Sequence, residues 1–224
     1  MNKIVLVPHL HKIEEPCETG LKQLEAAGLK VQRRRGCSGI DLARNQMVGE
    51  ALHDGFESIM FIDADISFQP DDVLRLFARP EPVVSGVYAI KGVRRFASVF
   101  DGVEEVIFGQ GAPNSYPLVY AAGGFTRFTA NVLRRMIRHF DWPLCDLTWG
   151  RGFWPFFLPL VTNDAKYLGE DWAFSHRLRQ MGVTPLADTS IRLYHWDGDR
   201  AYSWEEAGGT PGKRFATYRF KCNY

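Results

Sequence analysis

The stretch Ile59-Met60-Phe61-Ile62-Asp63-Ala64-Asp65 decides the fold class of this chain. Four apolar residues followed by acids are typical of a central strand that ends at the ligand-binding edge of an open α/β sheet. Side chains alternate along a strand, so Asp63 and Asp65 are expected on the same side. Their charges repel unless a cation, usually a hard divalent one, lies between them. The alternative is that both acids cap the helix predicted at Pro70, which the intervening residues make awkward.

Strand and helix patterns alternate on both sides of this stretch. Short apolar runs predict strands, and apolar residues at helical spacing predict helices between them. The predicted strands are 3–7, 30–34, 58–62 and 82–90, and the predicted helices are 18–27, 42–53 and one that begins at Pro70. Such an alternation indicates an α/β fold whose mostly parallel central sheet has helices on both faces.

The second half of the chain is less regular. We predict a hairpin of 95–100 and 103–108, strands over 119–122 and 191–194, a helix over 131–139 capped by Thr129 or Asn131, and a helix over 170–181. The segment 199–224 has little core pattern and is expected to pack on the domain as loops and short elements. We therefore expect one domain over 1–224.

Composition and charge exclude several classes of protein. The chain has 224 residues, with 27 basic and 26 acidic side chains, and this near-neutral balance argues against non-specific nucleic-acid binding. No apolar run approaches the ~20 residues of a membrane-spanning helix, so no integral membrane segment is expected. None of the four cysteines forms a CxxC pair, and no signal peptide is evident. These features predict a soluble, cytoplasmic protein.

Other chemistry-bearing residues follow later in the sequence. Glu170 and Asp171 open a helix, where acids are usually dipole partners, and His195 follows a predicted strand, where a lone histidine is usually structural. The aromatic segment 149–157 is either an open ligand-stacking platform or a loop packed into the core. Each of these signals is weak when taken alone.

Their order along the chain, however, resembles that of the GT-A fold glycosyltransferases, in a compact viral or bacterial form. The shared pattern is an Asp-x-Asp (Asp63-Ala64-Asp65), then an acidic pair opening a late helix (Glu170-Asp171), then His195. Further segments are similar to that family over roughly residues 1–198: Ala43-Arg44-Asn45, Ser85-Gly86-Val87-Tyr88-Ala89-Ile90-Lys91 and Ala122-Gly123-Gly124-Phe125.

The resemblance implies a Rossmann-like nucleotide-diphospho-sugar transferase with a mixed, mostly parallel sheet. It also implies a nucleotide-binding half (1–100) and an acceptor and catalytic half (101–198). It implies transfer of a sugar from a nucleotide-diphosphate donor, UDP-sugar favoured and GDP-sugar next, to a hydroxyl of a glycan or other acceptor. Mn²⁺, or Mg²⁺, would stabilise the leaving diphosphate. The implied metal ligands are Asp63, Asp65 and His195, and the catalytic acids are Asp171, as the base if configuration inverts, and Glu170. The implied donor-binding residues are Pro8, His9, Arg44, Asp63, Ala64, Asp65, Lys91, Gly123 and Gly124.

Two other functions share parts of this pattern. A nucleotidyltransferase that makes nucleotide sugars usually carries a glycine-rich phosphate loop after the first strand, where this chain has Pro8-His9-Leu10-His11-Lys12. A non-catalytic nucleotide- or carbohydrate-binding domain would not need Asp63, Asp65, Asp171 and His195 together. The sequence therefore favours the transferase over both.

Overall fold

The computed structural model describes residues 2–113 and 115–222, apart from the side chain of Trp149. Its strands are β1 (Lys3–His9), β2 (Lys30–Arg35), β3 (Ser58–Ile62), β4 (Ile66–Ser67), β5 (Val83–Gly86), β6 (Val99–Phe100), β7 (Glu105–Gly109), β8 (Tyr116–Tyr120), β9 (Phe125–Thr129), β10 (Leu160–Val161), β11 (Tyr167–Leu168), β12 (Leu186–Asp188), β13 (Tyr194–Asp197), β14 (Arg200–Tyr202) and β15 (Thr217–Lys221). Its helices are α1 (Glu15–Ala26), α2 (Ile40–His53), α3 (Pro70–Ala78), α4 (Ala130–Phe140), α5 (Glu170–Gln180) and α6 (Trp204–Ala207), with a 3₁₀ turn at Leu147–Trp149.

A mixed sheet forms the centre of the molecule. Its eight strands lie in the order β2-β1-β3-β9-β5-β12-β8-β6. Strands β2, β1 and β3 are mutually parallel, β12 is parallel to β5, and β9 and β8 run against their neighbours. The carboxyl ends of β1, β3 and β5 therefore meet at one edge, where β9 begins. The predicted α/β class with a mixed, mostly parallel sheet is confirmed.

Helices cover both faces of this sheet because the central strands are apolar on both sides. In β3, Ile59 and Phe61 belong to one buried cluster, whereas Met60 and Ile62 belong to the other. The first cluster includes residues of α2, α4 and α5, and the second includes residues of α1 and α3. No helix in the described parts of the chain is long and apolar enough to cross a membrane.

The predicted hairpin is wrong, although both of its segments contain a strand. β6 pairs with β8, and β7 pairs with β15 near the end of the chain. Val106 and Phe108 of β7 are fully buried in a third apolar cluster, against which the partly buried Tyr218 and Phe220 of β15 pack. Pairing with β15 covers this apolar face, which a local hairpin would leave open.

The segment 199–224 also contributes to the core, although its sequence predicts little core pattern. Trp204 is buried and lies against Phe108, with ring centroids 5.2 Å apart. Ser203 and Glu206 form a capping box that starts α6, so this short helix has its terminal donors satisfied. The predicted strand 191–194 is shifted, because β13 begins only at Tyr194.

The sequence prediction misses β9, which lies in the middle of the sheet. The reason is Arg127, whose charge interrupts the apolar pattern although the residue is only 1% exposed. Its guanidinium donates hydrogen bonds to the carbonyl oxygens of Leu76, Arg79 and Glu81. Burial lowers the pKa of Arg127 to about 10. A buried cation that is hydrogen-bonded in this way is compatible with a central strand.

Candidate functional site

The predicted site residues collect at the carboxyl edge of the central sheet. Pro8 and His9 end β1, Asp63 follows β3, and Gly124 precedes β9. His195 reaches the same place on β13, because that strand pairs with β4 and sets His195 opposite Ile66. The topology thus brings together residues that are far apart in the sequence.

Asp63 forms the centre of this group through an ion pair with Arg44. Arg44 Nη2 lies 2.8 Å from Asp63 Oδ1 and 4.0 Å from Glu170 Oε1. The Arg44 side chain is only 3% exposed, and its Nε and Nη1 have no hydrogen-bond partner in the described structure. Burial raises the pKa of Asp63, and Arg44 opposes that rise. Arg44 therefore has two buried nitrogen atoms without a hydrogen-bond partner beside two predicted site residues, Asp63 and Glu170.

Asp65 is held by two basic side chains. Lys91 Nζ lies 2.5 Å and His195 Nε2 lies 3.3 Å from Asp65 Oδ2. Burial opposes the charged form, but the hydrogen bonds from His195 and Lys91 prevail and lower the pKa of Asp65 to about 2. Asp65 is consequently a carboxylate at neutral pH.

The orientation of His195 makes its Nε2 available as a ligand. His195 Nδ1 lies 2.9 Å from the carbonyl oxygen of Ala89, which can only accept, so Nδ1 carries the proton. His195 Nε2 therefore faces the Asp65 carboxylate, to which it donates a hydrogen bond when it carries a proton; without that proton, its lone pair is directed at the carboxylate. Two acceptors at this distance require a proton or a cation between them. The nitrogen and oxygen donors fit Mn²⁺ or Mg²⁺.

The third predicted metal ligand, Asp63, is oriented differently. One of its oxygens faces Arg44, as described above. Within residues 2–113 and 115–222, no three His, Cys, Asp or Glu side chains are arranged to hold a metal ion. The predicted metal-ligand set of Asp63, Asp65 and His195 therefore stays a prediction. Only the placement of Asp65 and His195, 3.3 Å apart, fits two ligands of one ion.

Gly123 and Gly124 let polar side chains approach the backbone closely. A Cβ atom on Gly123 would lie 1.6 Å from Arg44 Nη1, and one on Gly124 would lie 2.6 Å from Asp63 Oδ2. The amide of Gly124 donates to the buried hydroxyl of Tyr88 at 3.1 Å. Any side chain at either glycine would push these groups apart.

The two acids that open α5 lie next to this glycine pair. Asp171 Oδ2 accepts a hydrogen bond from the amide of Gly123 at 3.2 Å, and its Oδ1 accepts from the amide of Trp172 at 2.7 Å. Burial raises the pKa of Glu170, against the effect of Arg44. These contacts hold the carboxylate of Asp171 in a fixed orientation beside the residues around Asp63.

A cleft of about 370 Å³ opens beside these residues. Its lining includes six of the predicted donor-binding residues, namely Pro8, His9, Asp63, Ala64, Asp65 and Lys91. His9 Nδ1 is buried without a partner in the described structure, and burial lowers the pKa of His9. Arg44, Gly123, Gly124, Glu170, Asp171 and His195 adjoin the cleft without lining it. Asp63 connects the two groups.

The sequence prediction missed several residues around the site. Tyr88 contacts the ring of His195 edge-on, with centroids 5.2 Å apart, and the amide of Trp196 donates to the carbonyl oxygen of Asp65 at 2.8 Å. Tyr88 lies inside the segment 85–91 that carried the resemblance, so its position was the available signal. The carbonyl of Ala89 gives no sequence signal, because every residue has one.

The aromatic segment 149–157 contributes to the core rather than to an open platform. Phe156 and Phe157 are buried, and Phe153 is 8% exposed. Asn45, adjacent to Arg44, accepts a hydrogen bond from the amide of Phe157 at 2.8 Å. The side chain of Trp149 lies outside the described residues.

Comparisons with known proteins give a likeness in fold. No protein-family model matches the chain, and no curated protein does. The crystal structure of A197 from STIV superposes with a TM-score of 0.57 at 16% identity, covering 92% of each chain. A glycosyltransferase involved in glycosylation of the major capsid of PBCV-1 gives a TM-score of 0.34 at 11% identity, covering 59% of this chain and 62% of its own.

A third solved structure is the inositol-1-phosphate CTP transferase from T. maritima. It gives a TM-score of 0.39 at 13% identity, covering 89% of this chain and 71% of its own. Because all three identities are low, the likeness concerns the fold alone, and only the one to A197 is close enough to carry that argument. The chain shares its α/β fold with A197 from STIV over most of both chains.

Proposed function

We propose that this protein is a glycosyltransferase that uses a nucleotide-diphosphate sugar, UDP-sugar favoured and GDP-sugar next, and a divalent cation. The observation that carries the proposal is the grouping of Asp63, Asp65, Lys91 and His195 beside Arg44 at the carboxyl edge of the sheet. In open α/β sheets this edge is where ligands bind. The cleft beside it has the size and the polar lining of a small-molecule site.

Each group of residues has a part in the proposed reaction. Cleavage of the bond between the anomeric carbon and the phosphate oxygen leaves negative charge on the nucleoside diphosphate. Lys91, which lines the cleft, and the buried guanidinium of Arg44 beside it are the protein cations that would stabilise this charge. A cation held by Asp65 and His195, Mn²⁺ or Mg²⁺, would add Lewis-acid stabilisation of the same charge. Pro8 and His9 would contact the base at the far side of the cleft.

The acids of α5, Glu170 and Asp171, would act on the acceptor and the sugar. If the configuration at the anomeric carbon inverts, the oxygen of the acceptor hydroxyl bonds to that carbon, and a carboxylate must take the proton of the hydroxyl. Asp171 is the proposed base, because two backbone amides orient it while unused lone pairs remain. Glu170 lies near Arg44 and would orient the sugar. A cytoplasmic location and a glycan acceptor remain part of the proposal.

Product analysis of the purified chain tests the proposed reaction. UDP-, GDP-, dTDP- and CMP-sugars are incubated with Mn²⁺ and a mixture of saccharide acceptors, and nucleotide products are separated by chromatography. A glycosyltransferase releases the nucleoside diphosphate, or CMP from a CMP-sugar, together with a glycosylated acceptor. A nucleotidyltransferase would instead release pyrophosphate from a nucleoside triphosphate and a sugar 1-phosphate, so this pair of substrates is assayed in parallel.

Matched variants connect the reaction to the site. Asp65→Asn removes the carboxylate that contacts Lys91 and His195 and is expected to abolish product formation. Asp71→Asn is the control, because Asp71 is exposed in the first turn of α3 and away from the cleft lining. Equal activity of the Asp65→Asn variant and the wild type would refute the proposed site. Pyrophosphate release as the main reaction would refute the proposed chemistry.

A further inference from the structure

A second groove, larger than the cleft at Asp65, lies between the segment 94–100, the turn at 207–209 and β15. It has a volume of about 610 Å³ and is here called the basic groove. Four of its lining residues are cations, namely Arg94, Arg95, Arg219 and Lys221, and none of its lining residues is acidic. The net charge of the whole chain is only +1, so this concentration of positive charge is local.

Most of the positive charge in the basic groove is not neutralised. Arg219 pairs with Glu105 at 2.8 Å. Arg94, Arg95 and Lys221 are exposed, and no carboxylate among the described residues forms an ion pair with them. By contrast, Arg33 of the other basic run pairs with Glu18 and Glu25 on α1. The free guanidinium groups thus distinguish the basic groove from an ordinary charged surface.

The groove also presents further hydrogen-bonding groups. A Cβ atom on Gly209 would lie 3.6 Å from Arg94 Nη1, so the Arg94 guanidinium lies over the 208–209 turn. The Tyr218 hydroxyl lies beside Gly208, where a Cβ atom would be 1.4 Å away. In the described structure β15 pairs only with β7, so one edge of this strand leaves backbone donors and acceptors unpaired. These groups add polar contacts to the charge of the arginines.

The basic groove is structurally continuous with the candidate active site. Ser98 in its lining accepts a hydrogen bond from the amide of Ala122 at 3.0 Å, directly before the glycine pair. Trp172, which follows Asp171, donates through Nε1 to the carbonyl oxygen of Ala97 at 3.1 Å. Arg94 is three residues from Lys91, so their Cα atoms are at most about 11 Å apart.

We propose that the basic groove binds an anionic group of the acceptor, a carboxylate or phosphate on a saccharide. Planar guanidinium groups bind the oxygens of either anion bidentately. Because none of the described lining residues is acidic, the groove favours an anion over a neutral sugar. The proposal rests on the proposed glycosyltransferase function, because it assigns the acceptor to this side of Asp171. It narrows the acceptor from any hydroxyl compound to an acidic saccharide.

Calorimetric titration of the full chain with matched oligosaccharides tests this proposal. The probes are a tetrasaccharide of galacturonic acid, a tetrasaccharide of galactose and a short glycerol-phosphate oligomer, each titrated at low and at moderate salt. We expect at least one anionic probe to bind more weakly as salt increases, and the galactose tetrasaccharide not to bind. The carboxylate and phosphodiester probes distinguish the two sources of the anion.

Two double variants locate the binding. Arg94→Gln/Arg95→Gln is expected to weaken binding of the anionic probe about tenfold, because two charge-assisted contacts are lost. Arg134→Gln/Arg135→Gln is the control, since these adjacent arginines are exposed on α4 and do not line the basic groove. The two double variants should have the same melting temperature. A nucleotide added with Mn²⁺ should raise that temperature by the same amount in both.

Three results would overturn the proposal: binding of the galactose tetrasaccharide as tight as that of an anionic probe, equal anion binding by both double variants, or no binding of either anionic probe. These results leave the assay of nucleotide-sugar turnover unaffected. Conversely, an anion bound through Arg94 and Arg95 in a protein that consumes no nucleotide sugar would refute the proposed function and keep the groove as an anion site.

Discussion

Replacing Arg44 by methionine should destabilise the protein in a pH-dependent manner. Methionine keeps an unbranched apolar chain over Phe61, whose ring centroid lies 5.1 Å from the Arg44 guanidinium carbon. The substitution removes the positive charge that faces Asp63 and Glu170. These carboxylates then remain beside each other without their shared cation.

The size of the effect follows from the burial of the pair. The side chains of Arg44 and Asp63 are 3% and 29% exposed, respectively. Removing one partner of a buried ion pair costs roughly 3–5 kcal/mol, and the remaining exposure of Asp63 places this case at the lower end, about 3 kcal/mol at pH 7. For a chain of this length, that corresponds to a fall in melting temperature of roughly 6–12 °C.

The pH dependence follows from the direction of the pKa shift. Burial already raises the pKa of Asp63 and Arg44 opposes that rise, so Arg44→Met should raise the pKa further. An acid with a raised folded-state pKa binds its proton more readily in the folded state, and stability increases as the pH falls towards the unfolded value near 4. The deficit of Arg44→Met should therefore be largest at pH 7.5 and shrink towards pH 5.

Urea denaturation of five proteins measures this effect. The wild type, Arg44→Met, Asp63→Asn and the double variant form a cycle that isolates the coupling between Arg44 and Asp63, and Arg44→Lys is the control that keeps the charge. The cycle should show a favourable coupling at pH 7.5, and Arg44→Lys should lose less stability than Arg44→Met. A deficit below about 1 kcal/mol, or one that does not change with pH, would refute the reasoning.

Three further predictions concern other contacts of the fold and site. Gly123→Ala should cost about 1–3 kcal/mol and weaken nucleotide binding, because its Cβ displaces Arg44, whereas Gly169→Ala, with no neighbour closer than 4.0 Å, should cost less. Equal melting temperatures of the two variants would contradict this. Thr129→Ala should lower the free energy of unfolding in urea by about 1 kcal/mol, because the Thr129 hydroxyl caps α4. Thr129→Ser keeps a capping hydroxyl and should retain the stability of the wild type. Burial opposes the charge of Asp65, but its histidine and lysine partners lower its pKa to about 2, so the wild type should lose stability relative to Asp65→Asn as the pH falls from about 4 to 2. Parallel acid-unfolding curves would exclude this contribution.

The sequence predicts several elements of the first hundred residues well. The predicted strand 58–62 coincides with β3, and the helix predicted from Pro70 begins there. These elements have continuous apolar runs or clear helical spacing. The spacing of apolar residues within one element reflects which of its faces is buried, so it can be read from a single sequence.

The remaining features depend on contacts between distant parts of the chain. β9 contains Arg127, whose partners are carbonyl oxygens that leave no mark in the sequence. The pairing of β7 with β15 joins segments more than a hundred residues apart. At the site, Asp63 and Asp65 were predicted from the strand that precedes them and His195 from the resemblance, but the ion pair of Asp63 with Arg44 requires the folded geometry.

The most direct test of the proposed function is calorimetric titration of UDP and GDP into the protein with and without Mn²⁺. We predict binding of one nucleotide that requires the metal, weakens at least about tenfold in Asp65→Asn and is unchanged in Asp71→Asn. Two results would contradict the assignment of Asp65 and His195 to a metal-assisted nucleotide site: nucleotide binding that is equally strong with and without Mn²⁺, or equal nucleotide binding by Asp65→Asn and the wild type.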